Sequence, residues 1–104
     1  MIAVVVRQGA ETDVAAAQQW YTREGHHLGI AFVEEFARTV ERISARPDQF
    51  PEVGCDVRRA LLHRFPYATY FVRRVDSAIL IAVLHQRRRP DVWRARARVE
   101  GAGG

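Results

Sequence analysis

A chain of 104 residues, 48% of them hydrophobic, holds enough apolar material for one domain with a single core. It has no run of the roughly 20 apolar residues that a membrane helix needs, and its opening MIAVVVRQGAE is not a secretion signal, so a cytoplasmic protein is expected. All 16 basic residues are Arg, the net charge is +4, and a lone Cys55 excludes both an internal disulfide and a thiolate metal site.

The first residues, MIAVVVRQ, are short, β-branched and apolar, and predict a strand. GAETD breaks it and supplies Thr12 and Asp13 as the cap region of a helix, whose stripe is Val14, Ala17 and Tyr21 with Trp20 beside it. Gly25 is suited to end that helix. His26 and His27 then read as a solvated turn. The apolar positions Leu28, Phe32, Phe36, Val40 and Ile43 recur at helical spacing, so a second helix is expected from about His27 to Ala45. In that helix Glu34, Glu35, Arg38, Glu41 and Arg42 point away from the apolar face. Pro47 and Pro51 stop it, and Cys55 falls in the loop-like EVGCDV.

From Asp56 the period changes. DVRRALLH, YATYFVRRV and AILIAVLH predict three strands, and the short connections between them allow only antiparallel hairpins. Beyond RRRP a short helix or extended arm carries Trp93. The expected architecture is α+β, in the order β-α-α-β-β-β, with a helical hairpin on one face of a roughly four-stranded, mainly antiparallel sheet. Residues 1–98 form the one domain and 99–104 a flexible tail. The other face of the sheet is expected to stay bare.

Charge is unevenly placed. Through Val57 there are five Arg against nine acids, and from Arg58 onward eleven Arg against three acids. Such asymmetry marks a surface meant for a polyanion or an acidic partner, or else a solvated basic face. The meander would bring Arg64, His85 and Arg87 together at one end of the sheet, and Arg58 and Arg59 near Arg73 and Arg74 at the other. Guanidinium groups beside Tyr67, Tyr70 and Trp93 suit nucleic acid, while the ordinary reading of those rings is core filling. His85 suits general acid–base work or a simple strand end. There is no glycine-rich phosphate loop, no HExxH and no Lys, so no cofactor or metal is expected.

The stretch FPYATYFVRRVDSAILIAVLHQRRRPDVW, Phe65 to Trp93, resembles the C-terminal half of RelE/ParE-superfamily toxins. DVAAAQQWY (Asp13–Tyr21), AFVEEF (Ala31–Phe36) and the Pro47–Pro51 loop before Arg58 and Arg59 are similar to earlier parts of that family. The resemblance implies the toxin of a type II toxin–antitoxin system, neutralised by a cognate antitoxin and meeting operator DNA only through it. ParE-like members inhibit DNA gyrase without chemistry of their own; RelE-like members cleave mRNA on the ribosome. The FPY…H..RRP pattern looks closer to the ParE side, and no Tyr follows Tyr70 to serve a nuclease.

On the ParE-like reading the target-binding residues are Arg64, Tyr67, His85, Arg87, Arg88, Arg89 and Trp93. On the alternative, an endoribonuclease, the catalytic candidates are Arg58, Arg59, His85 and Arg87, with Glu52 as an acid beside Arg59 and His85. A third reading is an inactive homologue that acts only as an antitoxin-binding module.

Overall fold

The computed structural model describes residues 1–87 and 90–102. Strand β1 (Ala3–Val6) runs directly into helix α1 (Gln8–Glu24), and α2 (His26–Ala45) follows with only Gly25 between them. A 3-10 turn at Pro47–Gln49 then leads to strands β2 (Glu52–Gly54), β3 (Val57–Leu61), β4 (Tyr67–Arg73) and β5 (Ser77–His85), and to helix α3 (Asp91–Val99). The sheet order is β1-β5-β4-β3-β2, with β1 parallel to β5 and every other pair antiparallel. The α+β architecture is the one expected. A fifth strand appears because Cys55 and Asp56, at φ 54° and 59°, make a two-residue turn that folds Glu52–Gly54 back on β3.

Three expectations are corrected. Helix α1 begins at Gln8, not near Thr12. The Arg7 N–H closes the last bond to Leu80 O, and the chain turns at once into the helix. Asp13 is therefore inside the helix, free for a different task. Glu35 does not face solvent: it is 3% exposed, beneath the chain segment that follows β3. Finally, the second face of the sheet is not bare. Helix α3 lies on it, so the domain has two cores, one on each side.

On the hairpin side, Phe32, Ile43, Phe50, Phe65, Phe71 and Leu80 are buried with Ala10, Ala17 and Ala31 from the helices. On the α3 side, Val57, Tyr70, Val72, Ile79, Ile81 and Leu84 are buried under Trp93 and Ala97. Trp93 stacks on Tyr70 at 5.5 Å with 13° between the planes. Past Val99, Glu100 pairs with Arg7 at 2.6 Å and Ala102 is buried.

Strand β1 covers only the first half of β5, from Ser77 to Leu80. Past that point two side chains replace it. Asp13 Oδ2 accepts the Val83 N–H at 2.9 Å, and Arg96 donates to Ile81 O at 2.9 Å. The two side chains also bind each other at 2.6 Å. An edge that would otherwise leave buried backbone groups unmet is thus closed by one ion pair, which also ties α1 to α3.

Candidate functional site

The direction of His85 depends on a β-bulge. Tyr70 pairs with Ala82 and Phe71 with Leu80, so Ile81 is an extra residue in β5. Its consequence is that Ala78, Leu80 and Val83 belong to the hairpin-side core, whereas Ile79, Ile81, Ala82 and Leu84 belong to the α3 side. Strict alternation would have sent His85 to the α3 face. The bulge sends it to the hairpin face, opposite Tyr67, whose ring it meets edge-on at 5.5 Å.

Around these two rings the end of the sheet forms a groove against α1. One recess, of ≈ 260 Å³, is lined by Asp13, Ala17, Trp20, Arg23, Tyr67 and His85 among others. A second, of ≈ 500 Å³, is lined by Trp20, Tyr21, Pro66, Tyr67 and His85. The two meet at Trp20, Tyr67 and His85. The loop carrying Arg64 borders it, held by Leu62 N–H on Tyr67 O and Gln86 N–H on Pro66 O, both 2.9 Å. Below that loop the His63 N–H donates to Glu35. Burial pushes the Glu35 carboxyl up, but this bond and the Arg38 guanidinium outweigh it and hold the group below its ordinary range. The Tyr21 hydroxyl is pushed up, first by burial and then by Tyr67.

His85 accepts the Arg87 N–H on Nδ1 at 3.1 Å. A backbone N–H can only donate, so Nδ1 carries the lone pair and the neutral ring keeps its proton on Nε2. Arg23, Arg64 and Arg87 have no ion-pair partner among the described residues; Arg64 lies 5.8 Å over the Phe65 ring.

The opposite end of the sheet is different. Arg58 donates to Phe50 O at 2.6 Å and lies 3.7 Å from Glu52. Arg73 pairs with Asp48 at 3.2 Å, and Arg74 donates to Glu100 O at 2.5 Å. These cations staple the fold, so one of the two expected basic patches is structural.

The proposed nuclease set does not assemble. Arg59 stands opposite Tyr70, on the α3 face, while His85 is on the hairpin face. Arg59 Nε is buried there without a hydrogen-bond partner. Glu52 sits on the far edge strand, paired in register with Arg58, whose row runs through Phe71 to Leu80. Along β4 that row is four residues from the Tyr67–His85 row, or about 13 Å. Trp93, expected at the contact surface, is 5% exposed and serves as the plug of the second core. Arg88 and Arg89 lie outside the described residues.

The sequence placed Arg64, His85 and Arg87 at one end, named Tyr67 as a contact residue without assigning it to that end, and gave no indication of Trp20 and Arg23 there. The available signal was Trp20 itself, an indole beside the apolar stripe of α1 rather than in it; it is 50% exposed. Among the described residues no group of His, Cys, Asp and Glu could hold a metal ion, and no helix is long and apolar enough to cross a membrane.

The same fold is found in a solved chain described as the chromosomal ParDE TA system from P. aeruginosa. The superposition has a TM-score of 0.73 and covers 82% of this chain and 96% of that one, at 18% sequence identity. At that identity the likeness is one of fold, and it agrees with the ParE-like fold implied by the sequence. No family model matches the chain, and no curated protein matches it in sequence.

Proposed function

We propose that this chain is the toxin of a type II toxin–antitoxin pair, neutralised by a cognate antitoxin, and that it arrests growth by docking on DNA gyrase. The observation that carries the toxin reading is the fold held in common with the ParDE chain over 82% of the sequence. The hydrogen bond at His85 speaks against a general-base role in RNA cleavage. A general base needs a free lone pair facing its substrate, and the only one on the neutral His85 ring is taken by the Arg87 N–H. The separation of Arg59 and Glu52 from His85 points the same way. The contact surface is the end of the sheet formed by Arg64, Tyr67, His85 and Arg87, with Arg88 and Arg89 following in the chain.

The test is induction of the chain alone and with any short reading frame found beside its gene, followed by gyrase supercoiling with purified protein. Growth arrest relieved by the neighbouring product, and supercoiling blocked by the wild type but not by Arg64→Glu/Arg87→Glu, are expected. Unaffected supercoiling at large excess removes the gyrase reading. Codon-internal mRNA cuts that vanish in His85→Ala establish the nuclease instead. Antitoxin binding without growth arrest leaves only a binding module.

A further inference from the structure

We propose that the outer face of α3, with Arg59 beside it, is a contact surface for duplex DNA that holds the phosphate backbone without reading sequence. It lies on the face opposite the helical hairpin and stands whatever the Tyr67–His85 end of the sheet contacts. It is also distinct from meeting an operator through a partner, because the chain's own cations make the contact.

Helix α3 turns Trp93 and Ala97 inward, and Arg94, Ala95, Arg98 and Val99 to solvent. Arg94 and Arg98 are four positions apart, so they share a face one turn apart, about 6 Å along the axis. Like charges so placed repel, and Arg94 lies in the first turn, where the helix dipole disfavours a cation. Neither has an ion-pair partner among the described residues; Arg94 lies 5.2 Å over the Trp93 ring. Trp93 stacks on Tyr70, and Tyr70 pairs across the sheet with Arg59, which is on the same face. Arg59 Nε is buried without a partner. Three guanidinium groups thus follow one another from β3 past Trp93 and along α3, and nothing in the fold answers their charge. The acids of this side are already taken: Glu100 is held by Arg7 at 2.6 Å, and Asp91 is engaged. A cationic stripe without a free carboxylate fits a polyanion.

The kind of polyanion follows from what the stripe lacks. Single strands are held by stacking bases on open aromatic faces. Here both rings are shut, Trp93 at 5% and Tyr70 at 4% exposure. Helix α3 has no Asn, Gln, Ser or Thr to pair with base edges, and Ala95 between the two cations lets a backbone approach closely. An acidic polypeptide would find the charge, but only Val99 as a large exposed apolar side chain on α3. Cations on a rigid helix, without stacking rings or amide readers, suit the regular phosphates of a duplex.

The test is fluorescence anisotropy of the full chain with two labelled duplexes of about 20 base pairs and unrelated sequence. Binding of both within about threefold is expected, and three phosphate contacts predict about 40-fold weakening from about 50 to about 200 mM salt. Arg94→Glu/Arg98→Glu should weaken binding more than about tenfold and lower the salt slope by about 2. Arg23→Glu/Arg46→Glu, the same charge change at exposed arginines on or next to the hairpin helices, should keep the slope. If the first pair unfolds, Arg94→Gln/Arg98→Gln should lower the slope alike. No duplex binding at about 50 mM salt, equal losses in the two Glu pairs, or binding of only one duplex overturns the proposal. So does tighter binding of a single-stranded RNA or of polyglutamate than of the duplexes.

Discussion

Asp13 and Arg96 stand in for a missing length of strand. Their four hydrogen bonds meet one N–H and one C=O of β5 and join two helices that are 83 positions apart in the chain. Removing the carboxylate leaves a part-buried N–H and a part-buried guanidinium unanswered. Asp13→Ala is therefore expected to cost about 2–4 kcal/mol, and Asp13→Asn less, because it keeps an acceptor. Urea denaturation of both singles and of Asp13→Ala/Arg96→Ala checks this; purely additive costs would show that the two side chains act separately. Nothing in the spacing of the sequence pairs these residues, and the Thr12–Asp13 dipeptide gives a misleading cap signal. Glu35 offers a second test. Its folded pKa lies below the ordinary range, so its contribution is present above the unfolded carboxylate pKa and lost as pH falls through the folded one. Thermal melts from pH 7 to pH 3 should fall more steeply for the wild type than for Glu35→Gln, which still accepts from His63. Parallel falls would show that Glu35 takes up its proton alike in both states.

The helical hairpin was legible as an element because its apolar period is strong, but its tightness was not. At Gly29 a Cβ would collide with Thr22 Oγ1 and meet Gln18 O at 3.1 Å, so α1 and α2 approach at a distance only glycine allows. Gly29→Ala should gain about 1 kcal/mol of helix propensity and lose more to overpacking, typically 1–3 kcal/mol. A lowered melting temperature is expected, partly restored by adding Thr22→Ala; a raised one would mean the hairpin parts without cost. β5 carries the complementary lesson. Its run AILIAVLH is apolar on both faces, so the pattern contains no mark of where the strand slips by one residue. The bulge at Ile81 decides which face His85 joins, and it is set by pairing with β4, not by composition. The location of the candidate site at the end of the sheet was therefore readable, while its wall on α1 was not.

At the scale of the whole molecule, the excess of Arg after Val57 does two kinds of work that the sequence does not separate. Arg58, Arg73, Arg74 and Arg96 bind carboxylates or carbonyls of their own chain, whereas Arg64 and Arg87 at one end of the sheet, and Arg94 and Arg98 on α3, are exposed. Trp93 follows the same logic. It was expected beside the contact surface, but it fills the second core and is 5% exposed. These placements predict opposite phenotypes. A contact residue can be removed with stability intact, whereas burial of an indole of 150–250 Å² at about 25 cal/mol/Å² is worth about 4–6 kcal/mol, most of a small domain's margin. Trp93→Ala should thus cost about 3–5 kcal/mol and Trp93→Phe clearly less. A chain cut after Arg87 should lose cooperative unfolding and associate through the uncovered face of Val57, Tyr70, Val72, Ile79 and Leu84. Chemical denaturation of the two variants and light scattering of the shortened chain measure this. If Trp93→Ala keeps wild-type stability, or the shortened chain unfolds cooperatively as a monomer, α3 is an appendage and the sheet stands on one core alone.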